Sequence, residues 1–139
     1  MSVARYWVDT NILLRFLTGH PTAQAESAHR LLQKAGAGEV VLDVSPVIVA
    51  EAFYTLTSFY KVDRAGAAIQ LGLLLRQHGI RVRDGSVVFG ALQRLQSTNV
   101  GFADALLAAA AEEDGIAVAS FDKDFDRLGI RRHDPGCDC

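Results

Sequence analysis

The sequence predicts an α/β fold: a mostly parallel central sheet flanked by helices on both faces. Three observations carry the prediction. Short β-prone runs alternate with longer segments of helical periodicity along the whole chain. The run Val40-Val41-Leu42 is apolar without alternation, as in a strand covered on both faces. Helical segments separate the strands, which implies mostly parallel pairing with helices on both sides of the sheet.

The elements follow in order. Tyr6 to Val8 is a β-prone run ending at Asp9, and from Asn11 the apolar residues Ile12, Leu13, Phe16 and Leu17 recur at helical spacing. Gly19, His20 and Pro21 break that helix, and Thr22 to Ala35 forms an amphipathic one with Ala25, Ala28, Leu31 and Leu32 inward. Gly36 and Gly38 stop it, and Glu39 to Val44 contains the next strand. Ser45 and Pro46 then supply an N-cap and a first-turn proline.

From Pro46 to Tyr60, a rotation of about 100° per residue places Ile48, Val49, Ala52, Phe53, Leu56, Phe59 and Tyr60 within one arc of roughly 140°. A buried stripe is expected there. Asp63 to His78 is a further helix stopped by Gly79, Ile80 to Arg83 a short strand, and Ser86 to Ser97 another helix. Phe102 to Asp114 is apolar nearly all round, so it is expected deep in the molecule, with Gly115 ending it. Ile116 to Ser120 reads as a buried strand, Asp124 to Leu128 as a short helical turn, and Ile130 to Arg132 as an edge strand. Residues 1–133 are expected to form one domain and 134–139 an unstructured tail.

A chain of 139 residues, half of them hydrophobic, suits one compact domain. Fourteen Lys and Arg against sixteen Asp and Glu leave a net charge of -2, so there is no electrostatic footprint of tight non-specific nucleic-acid binding. Four carboxylates committed to metal would leave a small basic excess that a phosphate backbone can use. The N-terminus lacks the apolar core of a signal peptide, and the longest apolar run, Ala105 to Ala111, is far short of a membrane span. A cytoplasmic protein is expected. Cys137 and Cys139 stand too close to the end, and to each other, to form a disulfide scaffold. His20, His29, His78 and His133 show no metal-ligand spacing, and neither a phosphate-binding P-loop nor a Gly-x-Ser-x-Gly elbow occurs.

Four acids stand out by position. Asp9 follows the first strand and Asp122 the strand ending at Ser120, so two strands deliver carboxylates to one edge of a parallel sheet, where ligands bind. An N-cap role explains Asp9 equally well. Glu51 lies outside the apolar arc of its helix and has Thr55, not a base, one turn on. A solvated flank explains it too. Asp104 occupies a first helical turn, which favours an acid whatever the function, yet an enclosed carboxylate there needs a compensating charge. Such a set of oxygen donors suits Mg²⁺ or Mn²⁺ better than zinc.

The motifs Val8-Asp9-Thr10-Asn11, Ala50-Glu51, Phe102-Ala103-Asp104-Ala105-Leu106 and Ser120-Phe121-Asp122-Lys123-Asp124-Phe125 together resemble the PIN-domain nucleases, most closely the VapC toxins of prokaryotic toxin–antitoxin pairs. The resemblance runs from Tyr6 to about Arg132, with the motifs in the family's order. It implies a three-layer α/β/α fold, a Mg²⁺- or Mn²⁺-dependent endoribonuclease acting on RNA, a homodimer, and inhibition by a cognate antitoxin that covers the active site. Asp9, Glu51, Asp104 and Asp122 match the acidic quartet, with Asp124 as an alternative fourth member; Thr10, Asn11 and Ser120 match supporting polar positions. Arg15, one turn beyond Asn11, is a candidate phosphate contact. Two other readings stay open. One is a non-catalytic module whose acidic pocket captures a basic peptide. The other is a Mg²⁺-dependent phosphatase with Asp9 as nucleophile, which Asn11 in place of a second Asp disfavours.

Overall fold

The computed structural model describes residues 3–136. Its strands are parallel throughout and its helices pack against them, an α/β fold as the sequence predicts, although the face of the first sheet that bears Arg5, Trp7 and Arg81 is left exposed. Strands β1 (Ala4–Trp7), β2 (Val40–Val44) and β3 (Ile80–Val82) form one sheet in that order. Strands β4 (Val118–Ala119) and β5 (Arg132–His133) form a second. Helices α1 (Thr10–Thr18) and α2 (Thr22–Gly36) connect β1 to β2, and α3 (Pro46–Ser58) and α4 (Arg64–Leu75) connect β2 to β3. Helices α5 (Gly85–Leu95) and α6 (Phe102–Asp114) lead to β4, and the single turn α7 (Asp124–Arg127) joins β4 to β5.

Capping explains several of the boundaries. Ser45 Oγ accepts a hydrogen bond from the Val47 amide, with Pro46 in the first turn of α3. Asp63 does the same for α4 through the Gly66 amide. Gly115, in the left-handed region at φ 67, ends α6 where the sequence places its stop. Gly79, at φ 85, lies so close to the carbonyl of Ala35 that any side chain would collide with it.

The main core gathers Leu13, Leu42, Leu56, Leu71, Leu74 and Leu95, all nearly inaccessible, between the first sheet and the helices. A smaller cluster of Ala108, Val118, Phe125 and Ile130 underlies the second sheet. Leu128 packs against both.

Register sorts the first sheet's side chains. Tyr6, Leu42 and Ile80 are partners across the three strands, as are Trp7, Asp43 and Arg81. Side chains alternate between faces, so Leu42 and Val44 enter the core while Asp43, Arg5, Trp7 and Arg81 share the opposite face.

Three local expectations need correction. Phe59 is 74% exposed rather than part of the α3 stripe. The helix ends at Ser58, so helical rotation no longer sets the direction of Phe59, which instead meets Tyr60 edge-on at 5.0 Å. The strand expected from Ile116 to Ser120 shrinks to Val118–Ala119 with Ile116 exposed, because pairing with β5 extends over only two residues. Of the tail, residues 134–136 form a turn closed by the Gly136 amide on Asp134 Oδ1 at 2.8 Å; Cys137 and Cys139 lie outside the described residues.

Candidate active site

Asp9 sits at the hinge between β1 and α1, in extended conformation, exposed, as the N-cap of the helix. Its Oδ1 accepts the Thr10 amide at 2.8 Å, so the capping role allowed by the sequence is real. It occupies one oxygen. Among the described residues, Oδ2 takes no hydrogen bond.

Thr10 links this hinge to α3. Its side chain is buried, and Oγ1 donates to Glu51 Oε2 at 2.7 Å. The bond connects residues 41 positions apart and turns the exposed Glu51 toward the end of β1. This is the one hydrogen bond of the Thr10 hydroxyl among the described residues, and a buried hydroxyl without a partner would cost about 1–3 kcal/mol.

Asp104 is half-buried in the first turn of α6, whose N-cap, Gly101, has no side chain to offer. The start of α6 is held against α3 by Phe102 and Phe53, with ring centroids 6.2 Å apart. Arg64, at the start of α4, braces the same region. Its guanidinium lies 5.4 Å from the Phe53 ring centroid and donates to the carbonyls of Thr98 and Val100, in the loop before α6.

Asp122 is exposed at the end of β4. Its amide donates to Ser120 Oγ at 2.9 Å, and its Oδ1 accepts the Asp124 amide at 2.8 Å, making the turn that starts α7. Asp124 is ion-paired with Arg127, one turn on. Of the two acids in this stretch, Asp122 is the one without a cationic partner among the described residues.

The structure brings Asp9, Thr10 and Glu51 together; it shows no contact linking Asp104 or Asp122 to them. No group of three or more His, Cys, Asp or Glu side chains among the described residues is assembled to hold a metal ion. The donor chemistry nevertheless fits a hard cation. Asp43, Glu112, Asp124, Asp126 and Asp134 are ion-paired, whereas Asp9, Glu51, Asp104 and Asp122, like Glu26, Glu39, Asp63, Asp84, Glu113 and Asp114, have no basic partner among the described residues. Unpaired carboxylate oxygens are what Mg²⁺ and Mn²⁺ take as ligands.

Asn11 and Arg15 lie beside this region on α1 and help line an apolar groove of about 440 Å³ against Ala28 and Leu31 of α2. Arg15 Nε donates to Gln24 at 2.9 Å and Nη1 to the Tyr60 hydroxyl at 3.4 Å, which ties the guanidinium between α2 and the end of α3.

Asp43 is a residue that the sequence reading passed over. It is 4% exposed on β2. Arg5 donates through Nε to Oδ2 at 3.0 Å and through Nη2 to Oδ1 at 2.6 Å, a bidentate pair; Arg83 adds a third bond at 3.3 Å. The Arg5 guanidinium holds the Asp43 carboxyl below the usual carboxylate range, against the effect of burial. Arg132 of β5 does the same to Asp126 of α7. The available signal was an acid inside the apolar run Val40 to Val44, a position that demands a partner.

Comparison with known proteins supplies the family. The comparison with curated proteins finds no match. Among solved structures, a crystal structure of VapBC2 from Rickettsia felis bound to a DNA fragment from their promoter is similar over 93% of this chain and 97% of that one, with 17% identity and a TM-score of 0.37. A likeness this distant bears on neither activity nor partners. The PIN-domain family model, by contrast, matches residues 6–131, from the first strand almost to the last. On that match, the chain belongs to the PIN-domain family.

Proposed function

We propose that this PIN-domain protein is a metal-dependent endoribonuclease, the VapC-like toxin of a type II toxin–antitoxin pair, with residues 1–133 as the nuclease domain and 134–139 as a tail. The observation that carries the reading is the pairing of Asp9 with Glu51 through Thr10: two acids from distant parts of the chain, at the end of a parallel strand, without basic partners among the described residues. Strand ends of parallel sheets are where such folds bind ligands.

In this reading Asp9 and Asp104 would hold the ion, with Glu51 and Asp122 completing the set of carboxylates around it. A Mg²⁺ or Mn²⁺ ion bound there would activate water for attack on the RNA phosphodiester and offset charge on the leaving 3′-oxygen. Thr10 fixes the carboxylate of Glu51, and Ser120 fixes the backbone at Asp122. The products carry a 5′-phosphate and a 3′-hydroxyl. The apolar groove between α1 and α2 begins at Asn11, two residues from Asp9, and suits an amphipathic antitoxin segment that covers the acids. In this reading the protein acts in the cytoplasm as a homodimer; no helix among the described residues is long and apolar enough to cross a membrane.

Purified protein is expected to cleave structured RNA in Mn²⁺ or Mg²⁺, to stop in EDTA, and to lose activity as Asp9→Asn. Equal cleavage by wild type and variant would assign the activity to a contaminant and remove the nuclease reading. Metal binding with no cleavage of any RNA would favour the non-catalytic module that binds a basic peptide.

A further inference from the structure

The face of the first sheet opposite the core carries an unusual set of side chains. Trp7 is 64% exposed, and the Arg83 guanidinium lies over its ring, 4.8 Å from the centroid. Arg83 is held there by Asp43, which also fixes Arg5. Arg81 is exposed on the same row, being the register partner of Asp43 across from Trp7. Two strand spacings, about 10 Å, separate Trp7 from Arg81.

Three arginines against one aspartate give this face a net positive charge in a chain whose total is -2. Asp43 does more than neutralise one of them. The buried carboxylate holds the Arg5 fork through a bidentate pair and Arg83 through a single bond, so a ligand meets guanidinium groups that are already placed. Arg83 lies over the indole ring, and Trp7 remains mostly exposed with it in place. Arginine forks recognise phosphate, and an open aromatic face stacks an unpaired base.

From these contacts we propose that the open face of the first sheet is a binding platform for single-stranded RNA, with a base stacked on Trp7 and the backbone phosphates on Arg81, Arg83 and Arg5. The inference rests on the ribonuclease reading and adds the substrate's form. A duplex hides its base faces, so stacking on Trp7 selects unpaired nucleotides. The platform also leads to the acids. Two residues of extended chain, about 7 Å, join Trp7 to Asp9, so a strand lying across the sheet runs toward the end of β1.

Trp7 is the chain's one tryptophan, so its fluorescence reports on this face alone. The full-length protein in EDTA, which prevents cleavage, is titrated with a fluorescein-labelled single-stranded RNA of about 12 nucleotides, within the size range of such sites. Trp7 emission should be quenched in step with the rise in anisotropy, and a duplex of the same sequence should leave it unchanged. Trp7→Ala should weaken binding about tenfold. Arg81→Gln, which removes no ion pair seen here and so leaves the sheet intact, should lower the salt slope by about 0.7.

Unchanged affinity in both variants, or no binding of single-stranded RNA, overturns the proposal. So does a dimer in sedimentation that Trp7→Ala dissociates, since the face would then join two copies. Cleavage in Mn²⁺ that is indifferent to Trp7 and Arg81 leaves the nuclease reading standing and removes the platform. Quenching without cleavage in any metal does the reverse.

Discussion

Thr10 donates its hydroxyl to Glu51 Oε2 at 2.7 Å, so the first residue of α1 orients an acid on α3. Thr10→Val preserves shape and removes the donor. Cleavage should fall about tenfold, as when a group within hydrogen-bond reach of a charge is lost, with stability down by about 1 kcal/mol. Thr10→Ser should restore most of both. Single-turnover rates and urea titrations check the pair, and an unaffected rate in Thr10→Val would detach Glu51 from the chemistry.

Asp9 is both a helix cap and a candidate ligand, and one substitution separates the roles. Asparagine caps helices as well as aspartate does, so Asp9→Asn should melt within a degree or two of wild type. RNA cleavage should nevertheless fall by more than about a hundredfold, because a neutral amide is a poor ligand for a hard cation. A large loss of stability with a proportionate loss of activity would make the residue structural.

Arg64 touches none of the four acids, yet it braces the loop that leads to Asp104. Arg64→Met keeps the apolar stem and removes the donors to the Thr98 and Val100 carbonyls. A stability loss of about 2 kcal/mol is expected from urea unfolding, since hydrogen bonds from a charged group are among the stronger ones. Amide exchange in the first turn of α6 should rise, and an unchanged exchange rate there would argue against the brace.

The Asp43 carboxyl is held below its ordinary range, first by its hydrogen bonds from Arg5 and then by the charge of Arg83. A group with a depressed folded-state pKa contributes stability that is present above its unfolded pKa and lost as pH falls through its folded one. Melting temperature should therefore decline as the medium is acidified below about pH 4. Asp126, paired with Arg132, adds to the decline in the same direction. Asp43→Asn should lower the melting temperature at neutral pH and flatten the acid limb, leaving the part due to Asp126. An acid limb as steep as that of wild type would show that Asp43 is not the titrating group.

Local chemistry made much of this chain readable before any tertiary contact was known. The bounds of α6 match the expectation at both ends because an apolar segment is closed by Gly115, whose conformation only glycine adopts cheaply. Ser45-Pro46 marked the start of α3 for a similar reason, since the cap and the proline act within one turn. Phe59 was misread because periodicity says nothing of where a helix stops.

The candidate site divides the same way. The sequence by itself determined the α/β class and the positions of Asp9, Asp104 and Asp122 at element boundaries, because strand ends and helix starts are set by neighbours a few residues away. Tertiary structure alone decided which acids meet. The Thr10–Glu51 bond spans 41 positions, and the Arg5–Asp43 pair spans 38. It also decided that Trp7, Asp43 and Arg81 stand in one row, since strand register is chosen by pairing across the sheet. Periodicity reports which way a side chain turns on its own element; it carries no information about what the facing element brings to meet it.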